Sequence, residues 1–284
     1  VNDLNEFNMS EKITKNLNPS YGSIQALKAR YDALIVLAED KVLKVLASKD
    51  ALYNADGNPQ LVATNKVLGN ATPYVGDYGI SKNPESLSSD QYRMYFTDKQ
   101  RGAVLRLSRD GLTPISSVGM KTYFREHLKM CDTIVGTFDT VNGEYNTTLN
   151  IATQWQNDTV YPITISFNEA SKGWVSFKSF VPSTGVSVSG KYFTANTNKI
   201  WEHYVDLVDR NSFYGVSSRN SEIEVLFNDM PGVVKSFKTM NYEGSQSEVT
   251  QNLQDDEYYN LTPKRGWRVK SFDTDLQEGA VHGF

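Results

Sequence analysis

The residues that could do chemistry are few and lie far apart in the sequence. His127, His203 and His282 are separated by long intervals, and none lies beside a serine or cysteine in a nucleophile elbow. A histidine activates a nucleophile only within hydrogen-bond reach of it, and no spacing in this chain predicts such a pair. We therefore predict no catalytic residue and no enzymatic activity.

A metal site has only one weak candidate. Asn54, Asp56 and Asn58 resemble the opening of a calcium loop, but the glycine is at the fourth position instead of the sixth, and Asn65 stands at the twelfth where a calcium loop has glutamate. An Asx-rich turn is the favoured interpretation. The single cysteine, Cys131, has no partner for an intrachain disulfide or a zinc site. The sequence thus predicts no metal.

One acidic run could be read as a glycosidase pair. Asp255, Asp256 and Glu257 precede Tyr258 and Tyr259, but a glycosidase needs two carboxylates set across one bond. Adjacent acids on a loop point in different directions, so an exposed charged loop is the better interpretation. Neither a Walker loop nor a dinucleotide fingerprint is present in the sequence, and we predict no cofactor.

Composition limits the partners. The net charge is -4, and the lysines and arginines are scattered among acids, which argues against direct nucleic-acid contact. No apolar run approaches the roughly 18 residues of a membrane span, so none is expected. The chain begins at Val1 rather than methionine, and we expect it to be a piece of a longer polypeptide.

Alternating apolar and polar residues, separated by Gly, Asn, Asp and Ser turns, predict antiparallel strands along most of the chain. Hairpins are expected around Glu39–Asp40, Asn142–Gly143 and Asn196–Asn198. A further hairpin joins the strands 92–98 and 103–111, followed by a short outer strand. These units recur about every 40 to 50 residues, the range expected of propeller blades.

The predicted fold is all-β, with propeller-like antiparallel blades followed by a sandwich-like C-terminal part. One or two short helices are expected, at Ser23–Arg30 and at Lys121–Met130. The predicted division is an N-terminal arm or connector at 1–32, a propeller-like domain at 33–220 and a sandwich-like region at 221–284.

Aromatic residues make up 12% of the chain. Trp174 and Trp201 lie inside predicted strands, so we expect both to be buried cross-strand residues. Three tyrosines near turns, Tyr74, Tyr78 and Tyr214, are candidates for contacts with other molecules.

Four blocks of the sequence resemble a family of large virion structural proteins from tailed bacteriophages, especially marine and cyanobacterial phages. The likeness extends over most of 24–272, and the blocks are EDKVLKVLASKDALYNADGN, YFTDKQRGAVLRLSRDGLTPIS, FNEASKGWVSFKSFVPSTGVSVSGKYFTANTNKIWEH and FNDMPGVVKSFKTMNYEGSQ. The resemblance implies a structural role in the phage tail, baseplate or nozzle region, and it carries over no catalytic residue.

The leading hypothesis is a non-enzymatic component of the virion tail, with copies of itself and other tail proteins as partners. The alternative is a carbohydrate-binding or receptor-binding β-protein of the virion that contacts a host-surface glycan. A polysaccharide-degrading tailspike is a third hypothesis, which no separated acid pair supports. We expect a symmetric ring or collar in which the arm 1–20 or the loop 245–263 lies against another subunit.

Overall fold

The chain divides into two compact units, Val1–Glu222 and Ile223–Phe284. The computed structural model of the chain describes residues 14–30, 33–53, 59–151, 154–155, 158–159, 161–216, 220–225, 230, 232–233, 272–274 and 277–279. The expected calcium-like turn at 54–58, the loop 245–263, the acidic run 255–257 and His282 lie outside these residues.

The described residues are mostly β-structure, with four small antiparallel sheets of three or four strands and one short α-helix, and they contain no closed propeller or barrel. The strands are β1 Ile24–Arg30, β2 Ala33–Ala38, β3 Val42–Tyr53, β4 Pro59–Pro73, β5 Ser88–Ser89, β6 Met94–Asp98, β7 Ala103–Ser108, β8 Gly111–Pro114, β9 Thr133–Asp139, β10 Glu144–Asn150, β11 Gln154–Trp155, β12 Asp158–Thr159, β13 Ile163–Asn168, β14 Gly173–Lys178, β15 Thr184–Val188, β16 Lys191–Asn196, β17 Lys199–Glu202, β18 Phe272–Thr274 and β19 Gln277–Gly279. Helix α1 is Lys121–Met130, and short 3-10 turns are Pro19–Tyr21, Pro84–Ser86 and Ile115–Ser117.

All four sheets lie in the first unit, and three of them are built from consecutive strands, while the third omits β11 and β12. The first sheet has the order β1-β2-β3-β4, the second β5-β6-β7-β8, the third β14-β13-β10-β9 and the fourth β15-β16-β17. Two further hairpins are small, β11 with β12 in the first unit and β18 with β19 in the second. The predicted antiparallel hairpins are therefore confirmed, and the expected sandwich-like region lies mostly outside the described residues.

The first three sheets bury apolar faces against one another. Ile35 and Leu37 of the first sheet pack on Phe96 and Leu105 of the second. The other face of the second sheet, with Tyr95, packs on helix α1 and on the third sheet. Small sheets cannot bury enough surface alone, so this face-to-face packing supplies the core.

The expected helix at Ser23–Arg30 is wrong, because Ile24–Arg30 forms strand β1. Strand β2 is apolar on both faces and nearly fully buried, so its backbone donors and acceptors need partners on both edges. Strand β1 pairs with one edge and β3 with the other. Pairing with β2 stabilises residues 24–30 as a strand more than their weak helical propensity favours a helix. The expected connector 1–32 thus contains a strand of the first sheet.

Three hairpins share one turn design, in which an Asp or Asn ends the first strand and the fourth loop residue is left-handed. Asp98 accepts a hydrogen bond from the backbone N–H of Arg101, and Asp139 accepts one from Val141. In both loops the left-handed residue is glycine. In the third loop Asn168 accepts from the backbone of Ala170 and Ser171, but the left-handed residue is Lys172, with φ at 51°.

We predict that Lys172→Gly stabilises the chain by about 0.5–1 kcal/mol, because a left-handed conformation costs a side-chain-bearing residue roughly 1–2 kcal/mol and costs glycine little. The matched control is Ala170→Gly in the same loop, outside the left-handed region, which should not stabilise. Urea unfolding checks both variants, and a loss of stability in Lys172→Gly would contradict the turn assignment.

A close approach of backbone fixes Gly136 in β9. A Cβ atom at this position would lie 2.0 Å from the carbonyl oxygen of Ser86. We expect Gly136→Ala to lower the free energy of unfolding by about 3 kcal/mol, since the clash is with backbone rather than with a movable side chain. Gly173→Ala in β14 is the control, because its Cβ would meet only the Ser171 carbonyl at 3.8 Å. Equal effects in thermal denaturation would refute the close packing of β9.

Candidate contact surface

The fourth sheet has two faces of opposite character. Its inner face lies on the third sheet and carries polar and aromatic residues, while its outer face is apolar and exposed. Alternation along each strand produces this division. Because the third sheet is apolar on one face and polar on the other, its polar face is the one that meets the fourth sheet.

The contact between the third and fourth sheets is made by hydrogen bonds. The hydroxyl of Tyr192 lies 2.7 Å from that of Thr137 and 3.3 Å from Asn146 Nδ2. Ser187 donates to the carbonyl oxygen of Phe138 at 2.8 Å. Tyr192, Thr137 and Asn146 are fully buried, and burial raises the pKa of Tyr192 to about 12. A buried polar contact of this kind is stable only when its groups are paired.

His203, directly after β17, lies at the centre of an aromatic cluster on this inner face. Its side chain is only 9% exposed, and Nε2 lies 2.7 Å from the hydroxyl of Thr194. Burial lowers the pKa of His203 from 6.5 to about 4. As pH falls, His203 is therefore protonated in the unfolded chain before it is protonated in the folded chain. The contribution of the neutral His203 to folding stability is complete above about pH 6.5 and is lost between about pH 6.5 and about pH 4.

Asp139 is a second buried ionisable group at the edge of this interface. Its carboxylate accepts hydrogen bonds from the Tyr204 hydroxyl at 2.5 Å and from the backbone N–H of Val141 at 2.9 Å. Burial, and then the bond to Asp139, raise the pKa of Tyr204 well above its usual range. Tyr204 is also left-handed, with φ at 62°, so the bond to Asp139 holds a strained residue in place.

The outer face of the fourth sheet carries the large apolar residues. Val186 is 56% exposed, Val188 53% and Ile200 79%. The half-buried Phe193 pairs with Val186 across the strands and lies among them. The same face also carries Lys191, opposite Val188, and Glu202, opposite Phe193, which form an ion pair of 2.7 Å. An apolar centre with charged residues beside it is typical of a protein contact surface.

A second apolar surface lies beside the free edge of β14. Val118, Met120, Trp174 and Phe177 line a shallow open hollow, and Phe177 is exposed. Trp174 itself is half-buried rather than buried, as is Trp201, so the expectation of burial is wrong for both. The expected cross-strand position is confirmed, because Trp174 is opposite Phe167 and Trp201 is opposite Thr194. Both are edge-strand residues, which lack a neighbour on one side.

The tryptophans nevertheless serve packing. The indole Nε1 of Trp174 donates to the carbonyl oxygen of Ile115 at 3.1 Å, and its ring lies 4.5 Å from that of Phe124. Trp201 packs against Tyr214 at 5.7 Å between ring centroids. Since the Trp174 ring is engaged with the core, it is a poor platform for a sugar.

The other residues singled out in the sequence are also placed in packing roles. Tyr74 and Tyr78 pack on the core between the first two sheets, and Tyr214 lies 2.9 Å from the Thr194 hydroxyl. His127 is stacked on Tyr123 of helix α1, and Cys131 is buried, which raises the pKa of its thiol to about 12. The Cys131 thiol donates to the backbone carbonyl oxygen of His127 at 3.2 Å, but these residues do not form one common site.

Sequence reasoning missed Asp139, Tyr204 and the apolar outer face. The pattern Asp-x3-Gly at Asp139 is visible in the sequence, but its link to Tyr204 spans 65 residues and depends on the fold. In the described part of the chain, no three His, Cys, Asp or Glu residues lie close enough to bind a metal together, and no described helix is long and apolar enough to cross a membrane.

Comparison with known proteins adds no assignment. The chain matches no protein-family model, and no curated protein matches it significantly. The interpretation of the contact surface therefore rests on its geometry and on the residues themselves.

We predict that Tyr204→Phe lowers the free energy of unfolding by about 1.5–3 kcal/mol, because the buried Asp139 carboxylate loses a hydrogen-bond donor. Tyr161→Phe is the control, since Tyr161 is 74% exposed and its hydroxyl meets solvent. Urea denaturation at neutral pH measures both. If the two substitutions have the same small effect, the Asp139–Tyr204 bond does not hold this segment.

Proposed function

We propose that this chain is a non-enzymatic structural component of a tailed-phage virion, in the tail, baseplate or nozzle region, which assembles with further copies of itself and with other tail proteins. The observation that carries the proposal is the exposed apolar face of the fourth sheet, formed by Val186, Val188, Phe193 and Ile200. The resemblance of four sequence blocks to phage virion proteins supports the same conclusion.

The architecture supports a structural role by a physical argument. Stacked antiparallel sheets hold a fold together without disulfides, and the only cysteine of the chain is buried. Successive meanders that pack face to face are the building unit of a propeller. We accordingly assign the first unit a propeller-like arrangement, which is open within the described residues.

The partner assigned to the apolar face is a second copy of the chain. Three strands of about five residues measure roughly 16 Å by 14 Å, an area of about 220 Å². A standard interface covers roughly 800 Å² on each partner. The contact must therefore extend past the sheet. Val205, Leu207 and Val208 are also exposed and follow His203 and Tyr204 in the chain, so we include them in the proposed contact.

Sedimentation velocity over a range of protein concentrations tests this contact. We expect self-association in the wild-type chain, and a double variant Val186→Lys, Ile200→Lys should weaken it by at least about tenfold, since charges in an apolar interface centre cost 1.4 kcal/mol or more. The control is Val75→Lys, Val141→Lys, which places the same charges on two exposed valines elsewhere. A wild-type chain that stays monomeric at about 100 µM would contradict the contact, since a dissociation constant of that size corresponds to a binding free energy of only about −5.5 kcal/mol.

Carbohydrate binding is the second candidate, favoured by the exposed ring of Phe177 in the hollow beside β14. Sugars stack on exposed aromatic faces, and this ring is the one in the hollow that is available to do so. A glycan array with the wild-type chain and Phe177→Ala checks it. Binding that is lost in the variant would establish a glycan-binding role at this hollow.

A further inference from the structure

His203 is enclosed by the segment that follows it. Its ring centroid lies 4.9 Å from that of Phe180, 4.8 Å from Tyr192, 6.0 Å from Phe213 and 6.4 Å from Tyr214. Two of these rings belong to the fourth sheet and the residues before it, and two belong to the returning segment. The imidazole therefore fills the space between the sheet and residues 204–216.

Residues 204–216 are fixed to the sheet by a few side chains near this ring. The Tyr204 hydroxyl donates to Asp139, the Tyr214 hydroxyl meets Thr194 at 2.9 Å, and Phe213 packs on Phe180 at 5.1 Å. Both tyrosines are left-handed, with φ at 62° and 58°. A strained backbone persists only while its anchors hold it, so this segment depends on the packing around His203.

The charged groups that face His203 come from several elements. Asp139 at the end of β9 favours a proton on the ring, whereas Lys178 at the end of β14 opposes it. Lys178 is itself paired with Glu144 of β10 at 2.5 Å. The remaining neighbours, Tyr192 and the tyrosines of the segment, are neutral phenols with raised pKa values.

We propose that His203 is an acid-sensitive latch: its neutral ring holds residues 204–216 on the fourth sheet, and its protonation releases them while the first three sheets stay folded. This inference concerns the response of the segment to pH and stands whether or not the chain belongs to a virion.

The physical cause is the cost of a buried charge. A protonated imidazole has two N–H donors, and Thr194 is the hydrogen-bond partner that the structure places on its ring. With Nε2 a donor, the Thr194 hydroxyl can still donate to the Tyr214 hydroxyl, so the cost of protonation is the positive charge enclosed among aromatic rings and not a broken hydrogen bond. Release exposes the ring to water, where its pKa returns to the ordinary value of 6.5.

The first three sheets should stay folded when His203 is protonated. Their cores are apolar and contain Phe96, Leu105, Phe124 and Ile165, whereas the rings around His203 are those of Phe180, Tyr192, Tyr204, Phe213 and Tyr214. Local opening at the end of a stack costs less than global unfolding. The pH response is therefore expected in one segment and not throughout the first unit.

Hydrogen–deuterium exchange with mass spectrometry tests the latch at about pH 7.5 and about pH 4.5, with each rate divided by the intrinsic rate at that pH. Peptides covering 204–216 should exchange about 10- to 100-fold faster at the lower pH, as expected for a released ring that regains a pKa of 6.5. Peptides from β2, β6 and β10 should not change, and they serve as an internal control.

Two variants separate His203 from other acid-sensitive groups. His203→Gln keeps a hydrogen-bonding side chain beside Thr194, and His203→Phe keeps an aromatic ring; both should abolish the pH response. The matched control His127→Gln changes a histidine on helix α1 and should respond like the wild type.

Three results would overturn the latch. One is an unchanged exchange rate of 204–216 in the wild type at the lower pH. Another is an undiminished response in whichever of the two His203 variants folds. The third is an equal acceleration in β2, β6 and β10, which would mean that acid unfolds the whole unit instead of one segment.

Discussion

The structure depends on one constraint, which is that none of its sheets is large enough to bury a core alone. A sheet of three or four short strands becomes stable only when its faces are covered. The second sheet shows the consequence most fully, because Phe96 on one face packs on the first sheet and Tyr95 on the other packs on the third. Both faces of β6 are therefore buried, and its sequence MYFTD carries large apolar residues on consecutive positions.

The last contact in the stack is different, since hydrogen bonds replace apolar packing. Between the third and fourth sheets, Tyr192, Thr137 and Asn146 are buried, and the Tyr192 hydroxyl is hydrogen-bonded to both of the others. Because the polar side of the fourth sheet is turned inward, its apolar side is turned to solvent. The same inversion places the ionisable residues His203 and Asp139 inside. The proposed contact surface and the proposed latch thus both follow from the fact that the fourth sheet packs on the third through its polar face.

Local chemistry accounts for the turns. Asp98, Asp139 and Asn168 each end a strand and accept hydrogen bonds from the loop that follows. In the first two loops a glycine takes the left-handed position, and in the third Lys172 adopts it. The same three side chains also form hydrogen bonds with residues outside their own loops. Asp98 accepts from Ser81 at 2.9 Å, and Asp139 accepts from Tyr204, so the turns connect hairpins to distant segments.

The sequence by itself determined the antiparallel hairpins, their turns and helix α1, because these depend on residues that are close along the chain. Only the tertiary structure decided that Ile24–Arg30 is a strand, since it pairs with the edge of β2 that β3 does not cover. It also decided the half-burial of Trp174 and Trp201, which depends on their place on edge strands. The pairing of Asp139 with Tyr204, the burial of His203 and the exposed face around Ile200 likewise follow from which sheet faces meet. Alternation along a strand identifies two faces but does not say which one the next sheet will cover.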